Sequence, residues 1–85
     1  MKLSDNIRIA IIEKMVKHKL WGGKHTSIDN IPKGFPSNMI KDIKIEIKNL
    51  IKEGYIIHKP TSYGLEVSLN PRMKNEIEEI IKSSD

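Results

Sequence analysis

No cysteine occurs in this chain of 85 residues, which excludes a disulfide framework and thiolate-held zinc alike. Aromatic residues are scarce, with one Trp, one Phe and two Tyr, so the apolar content rests on isoleucine. No apolar run approaches the roughly 20 residues of a membrane span. Residues 1–6 show no long apolar stretch after Lys2, so no signal peptide is expected and the cytoplasm is the expected compartment. His18, His25 and His58 lie far apart with no paired-histidine spacing, and no metal site is expected. The run Gly22-Gly23-Lys24-His25-Thr26 fails as a phosphate-binding P-loop. Its Lys is followed by His25, the required upstream Gly is missing, and a helix rather than a strand precedes it. With no cofactor motif and no spacing that assembles Ser, His and Asp, catalysis is not expected.

What remains is one small, basic domain. A chain of this length buries only roughly 60–65% of its unfolded surface, so the core is thin and a second copy would help it. The net charge of +4 is uneven. Through Lys59, twelve basic residues stand against six acids; beyond it, three stand against five. Such a split between a basic body and an acidic tail can orient a protein on a polyanion.

Periodicity supplies the elements. Ser4 is a candidate cap for a first helix over residues 4–21, whose apolar positions Ile7, Ile9, Ile11, Ile12, Met15, Val16 and Leu20 cover about half the cylinder. Gly22-Gly23 is expected to end it. Residues 26–31 read as a short strand and a turn, and Pro32, Gly34 and Pro36 forbid a long second helix. Ile31 and Phe35 are expected to dip into the core. Ser37 can cap a helix over 37–53, in which Ile40, Ile43, Ile47, Leu50 and Ile51 recur at three-and-four spacing and Gly54 is the stop. A hairpin over 55–69 follows, its two strands expected to be joined by Pro60, Thr61, Ser62, Tyr63 and Gly64. Asn70 and Pro71 then open a last helix over 71–83 with Met73, Ile77, Ile80 and Ile81 on one face.

Two constellations carry chemistry. Along the 37–53 helix, Lys41, Lys48 and Lys52 fall on one flank of the apolar stripe with Lys44 beside them, while Asp42, Glu46 and Glu53 fall on the other. A basic edge of this kind meets what phosphate contacts require, and Ser37, Asn38 and Lys41 at the helix start are placed to reach base edges. The alternative is an ordinary solvated amphipathic helix. The hairpin tip puts Lys59, Thr61, Ser62 and Tyr63 on one exposed turn, where hydroxyls and amides can meet phosphate oxygens. Plain turn chemistry would use the same residues.

A helix feeding a short hairpin behind an N-terminal helix resembles the winged helix-turn-helix superfamily over about residues 4–69. The segments KGFP, KPTSYG and VSLNP also look like those of small archaeal proteins of unassigned function. The resemblance implies an α+β domain with a three-helix core, a β-hairpin wing and an added C-terminal helix. It further implies a non-catalytic regulator of transcription that binds double-stranded DNA, with residues 37–53 as the groove helix and Lys59 to Gly64 as the wing tip. Two other readings stay open: a module that binds another protein within a larger complex, and an RNA- or ribosome-associated basic protein. The first and last helices are expected to pack together, within one chain or across the two-fold axis of a homodimer.

Overall fold

Three helices and a three-stranded antiparallel sheet share one core in the order α1 (Leu3–Lys17), β1 (Thr26–Ser27), α2 (Ile40–Lys52), β2 (Ile56–Thr61), β3 (Gly64–Leu69) and α3 (Lys74–Lys82). The structure, a computed structural model, describes residues 3–83, with side chains from residue 5 onward. Single 3-10 turns at Ile28–Asn30, Ser37–Met39 and Pro71–Met73 complete it. The sheet order is β1-β3-β2, so β3 lies in the middle and β2 and β3 form the hairpin. Ile7, Ile11, Ile12 and Met15 of α1 close on Ile43, Ile47 and Leu50 of α2, over Ile56, Val67 and Leu69 of the sheet. These positions recur every three or four residues on the helices and at alternate residues on β3, as burial of one face demands. Within the same chain α1 packs on α3, where Ile77 is buried and Met73, Ile80 and Ile81 lie at the core's margin. Much of the apolar surface that could serve a second copy is thus covered by the chain itself.

The first helix is shorter than its periodicity suggests. It takes in Ser4, the expected cap, and ends at Lys17 rather than at residue 21. The Leu20 amide donates to the Met15 carbonyl at 3.0 Å and the Lys19 amide to the Val16 carbonyl at 3.0 Å, a Schellman closure with Lys19 left-handed at φ 57. The cause of the early stop lies far along the chain. Leu69 donates its amide to the Leu20 carbonyl at 2.7 Å and accepts from the Gly22 amide at 3.0 Å, which ties residues 20–22 to the end of β3 through a bridge at Trp21. Gly22 is therefore a packing glycine and not the helix stop. A Cβ there would sit 3.2 Å from the Pro71 ring, at a backbone φ of 55.

A non-glycine residue in the left-handed region costs roughly 1–2 kcal/mol, and Gly removes most of that cost. Lys19→Gly is therefore expected to stabilise the fold by about 1 kcal/mol, raising Tm by about 4–8 °C. Thermal unfolding followed by circular dichroism checks this, and a lower Tm would contradict the strained assignment. The same closure ends α2 with glycine in place. The Tyr55 amide reaches the Leu50 carbonyl at 3.0 Å, the Gly54 amide reaches Ile51 at 3.1 Å, and Gly54 has φ 91.

Three further expectations change in detail. Ser37 does not cap α2: Pro36 takes the cap position of the preceding 3-10 turn and no side-chain cap bond forms there. The hairpin is tighter than a five-residue loop, because Thr61 pairs with Gly64 and only Ser62 and Tyr63 turn the chain. The last helix begins as the 3-10 turn Pro71–Met73, with Asn70 Oδ1 accepting from the Arg72 amide at 3.0 Å. Asn70 also donates to the Gly54 carbonyl at 2.9 Å, tying the end of α2 to the start of that turn.

Candidate nucleic-acid interface

Ion pairing divides α2 into two unlike flanks. On the acidic flank Glu46 is only 5% exposed. Its carboxylate accepts from Arg8 Nε at 2.6 Å and from Asn49 Nδ2 at 3.2 Å. Two turns further on, just past the end of α2, Glu53 accepts from both terminal nitrogens of the same guanidinium, Nη1 at 2.9 Å and Nη2. One arginine from α1 thus holds a carboxylate within α2 and another at its C-terminal cap. The fork geometry of guanidinium suits such bidentate pairing, and a lysine could not reproduce it. The Glu53 bond raises the Arg8 pKa above its already high ordinary value; burial opposes this and Glu46 adds to it. The Arg8 bond in turn holds the Glu53 carboxyl below its usual value.

The basic flank has no such partners. Lys41, Lys44, Lys48 and Lys52 are exposed, and among the described residues none of them makes a hydrogen bond or ion pair. Ile45 stands at 50% exposure beside them. Ser37 and Asn38 are exposed on the 3-10 turn that leads into α2, free of side-chain bonds. With Glu46 and Glu53 held against α1 and one of their two charges offset by Arg8, Asp42 is the one acid of α2 left unpaired among the described residues. The outward face is therefore more positive than the helix's composition implies.

The segment before α2 is held in place by a buttress the sequence does not reveal. The Lys14 ammonium donates to the carbonyls of Asn30 at 3.3 Å, Ile31 at 2.9 Å and Lys33, and lies 5.3 Å from the centre of the Phe35 ring. Ser27 caps the 3-10 turn by accepting from the Asp29 amide at 3.2 Å. Ile31 is buried and Phe35 half-buried, so two apolar anchors and one lysine fix the loop that stands where a longer helix was precluded by Pro32, Gly34 and Pro36. Between this loop and the start of α2 lies an open recess of about 390 Å³ whose lining includes Lys33, Ser37 and Lys44. Lys33 thus stands beside Lys44 at the mouth of this recess.

At the hairpin tip, Thr61 is committed to the turn. Its hydroxyl donates to the Gly64 carbonyl at 2.7 Å and accepts from the Tyr63 amide at 3.2 Å. Ser62 is exposed, and Tyr63 is 99% exposed. Lys59 faces Glu66 in the strand register, but the Glu66 carboxylate pairs with His25 Nδ1, leaving Lys59 without a partner among the described residues. Ser68 is buried on the outer side of the sheet and donates to the Gly22 carbonyl at 2.8 Å, so residues 22–25 cover part of that face. Among the described residues no three His, Asp or Glu side chains converge as metal ligands, and no helix is long and apolar enough to cross a membrane.

Comparison with protein-family models, curated proteins and solved structures found no match to this chain. The geometry alone carries the functional reading. Its chemistry is that of an exposed row of point charges able to meet a repeating anion, with Asn38 and Ser37 at one end as the groups able to discriminate what lies between the charges.

Proposed function

We propose that this chain is a winged-helix-type domain of the cytoplasm that binds duplex DNA through α2 and the β2–β3 hairpin, without catalysis, in the control of transcription. One observation carries the reading: Arg8 draws Glu46 and Glu53 against α1, leaving Lys41, Lys44, Lys48 and Lys52 exposed and, among the described residues, unpaired at spacings of three and four residues. Those spacings keep the four ammonium groups on one side of a helix, the arrangement that follows a phosphate backbone along a groove. The strand order β1-β3-β2 behind α2 is compatible with a winged-helix layout. Lys59, Ser62 and Tyr63 extend the contact surface to the hairpin tip. A homodimer formed through α1 and α3 would use what those helices leave uncovered.

The test is fluorescence anisotropy of labelled duplexes across a range of salt. If the four lysines of α2 and Lys59 each neutralise one phosphate, log affinity against log salt should fall with a slope of roughly −4 to −5. Affinity should then drop by roughly two to three orders of magnitude between 50 and 200 mM salt. Absence of binding at low salt, or binding indifferent to salt, would overturn the proposal. A protein partner is the second reading, favoured by the exposure of Ile45 and Tyr63. Binding lost on Ile45→Ala or Tyr63→Ala, yet unaffected by salt, would support it.

A further inference from the structure

A second basic concavity is lined by none of the α2 lysines. It is a cavity of about 480 Å³ where the end of α1 meets the loop that contains β1. Buried Leu20 and Ile31 give it an apolar floor, and Lys14, His18, Lys24 and Lys33 stand around it. Among the described residues no carboxylate lines it. Thr26 Oγ1 accepts from Asn30 Nδ2 at 2.9 Å, so the hydroxyl's own hydrogen has no acceptor among the described residues. The Lys14 ammonium is fixed by three carbonyls and offers charge rather than a further hydrogen bond. Lys24 and Lys33 are exposed and free to swing over the opening.

We propose that this cavity binds a small phosphorylated ligand, its body on Leu20 and Ile31 and its phosphate held by Lys24, Lys33 and the Thr26 hydroxyl, with Lys14 supplying background charge. The volume lies within the range of small-molecule sites, roughly 300–1,000 Å³. Cations gathered without an acid repel one another until an anion joins them. Burial first, and then the Lys33 charge, lower the Lys14 pKa from its ordinary value, and only the second of these is that repulsion. The C-terminal end of α1 adds a partial negative charge nearby, which three lysines outweigh. An apolar floor suits a ring or short carbon body, whereas a duplex backbone presents only sugar and phosphate on a convex surface. The inference stands whether or not the chain binds DNA.

The probe is phenyl phosphate, with inorganic phosphate as its body-less counterpart, titrated at constant ionic strength into isotope-labelled protein and followed by amide chemical shifts. Expected are saturable shifts confined to residues 18–33, with phenyl phosphate binding several-fold more tightly than inorganic phosphate. The Lys24→Gln/Lys33→Gln variant should bind phenyl phosphate about tenfold or more weakly, as loss of charged hydrogen bonds implies. Its amide spectrum elsewhere should be unchanged, since neither side chain has a partner among the described residues. A stoichiometric duplex should leave the phenyl phosphate shifts in place. Displacement by duplex would assign the phosphate to a nucleic-acid backbone and overturn the proposal. Shifts spread evenly over all lysine-bearing elements, or none at millimolar phenyl phosphate, would overturn it as well.

Discussion

Arg8→Ala is expected to destabilise the domain by about 3–5 kcal/mol, enough to unfold much of a small chain at 37 °C. The side chain of Glu46 is 7% exposed, and without Arg8 its carboxylate keeps only the Asn49 amide at 3.2 Å. An ionised carboxylate left in that position bears its desolvation cost without a counter-charge. Removing both charges should restore most of the loss, so Arg8→Met combined with Glu46→Met is expected to melt near the wild type. Urea unfolding of the three proteins decides the matter. A single variant within about 0.5 kcal/mol of the wild type would show that the pair is solvated and of little consequence. The same contact makes stability depend on acid. The folded pKa of Glu53 lies below its unfolded value, so its contribution is complete above that value and is lost as pH falls below 4.5 and through the folded value. Glu53 is nearly half exposed, which weakens the effect. Arg8→Ala should lose less stability than the wild type over that acidic range.

How far the sequence discloses this fold depends on how far apart the deciding residues lie. The body of α2 is legible because its apolar positions are local and Gly54 supplies the left-handed residue its closure uses. The Asn70-Pro71 start of the last helical segment is legible for the same reason, as cap and acceptor are two residues apart. The end of α1 is not. Its stop depends on Leu69, 49 positions beyond Leu20, and on a lysine in a conformation that favours glycine. Arg8 reads as one more surface cation until Glu46 and Glu53, 38 and 45 residues away, are brought beside it. Lys14 likewise reads as part of a basic surface, yet it is a strut under the loop. Of the candidate contact residues, the wheel identifies Lys41, Lys44 and Lys48 as outward because helical spacing alone determines that. Thr61 looked equally available, but a hydrogen bond across a two-residue turn engages it. The signal for that last assignment was local: a threonine three residues before glycine in a tight turn is well placed to close it.

The largest functional effect is expected from Lys41→Gln, Lys44→Gln and Lys48→Gln made together. Counterion release assigns to each neutralised phosphate a slope contribution of roughly 0.9, so the triple variant should flatten the salt dependence by roughly 2.7. Its affinity for any duplex at low salt should fall by roughly two to three orders of magnitude. Fold stability should change by less than about 0.5 kcal/mol, because these ammonium groups are exposed and have no partners among the described residues. That separation is what distinguishes a binding surface from a solvated helix face: a surface that serves only solubility would lose neither affinity nor slope. Asn38→Ala should behave differently. An asparagine at the groove end of a helix can pair with adenine by two hydrogen bonds, worth about 1–3 kcal/mol of discrimination at one base pair. The variant should therefore keep the wild-type salt slope and lose preference at a single position of a selected site. If all four substitutions leave both slope and preference unchanged, the exposed lysine row of α2 does not contact DNA, and the proposed function fails with it.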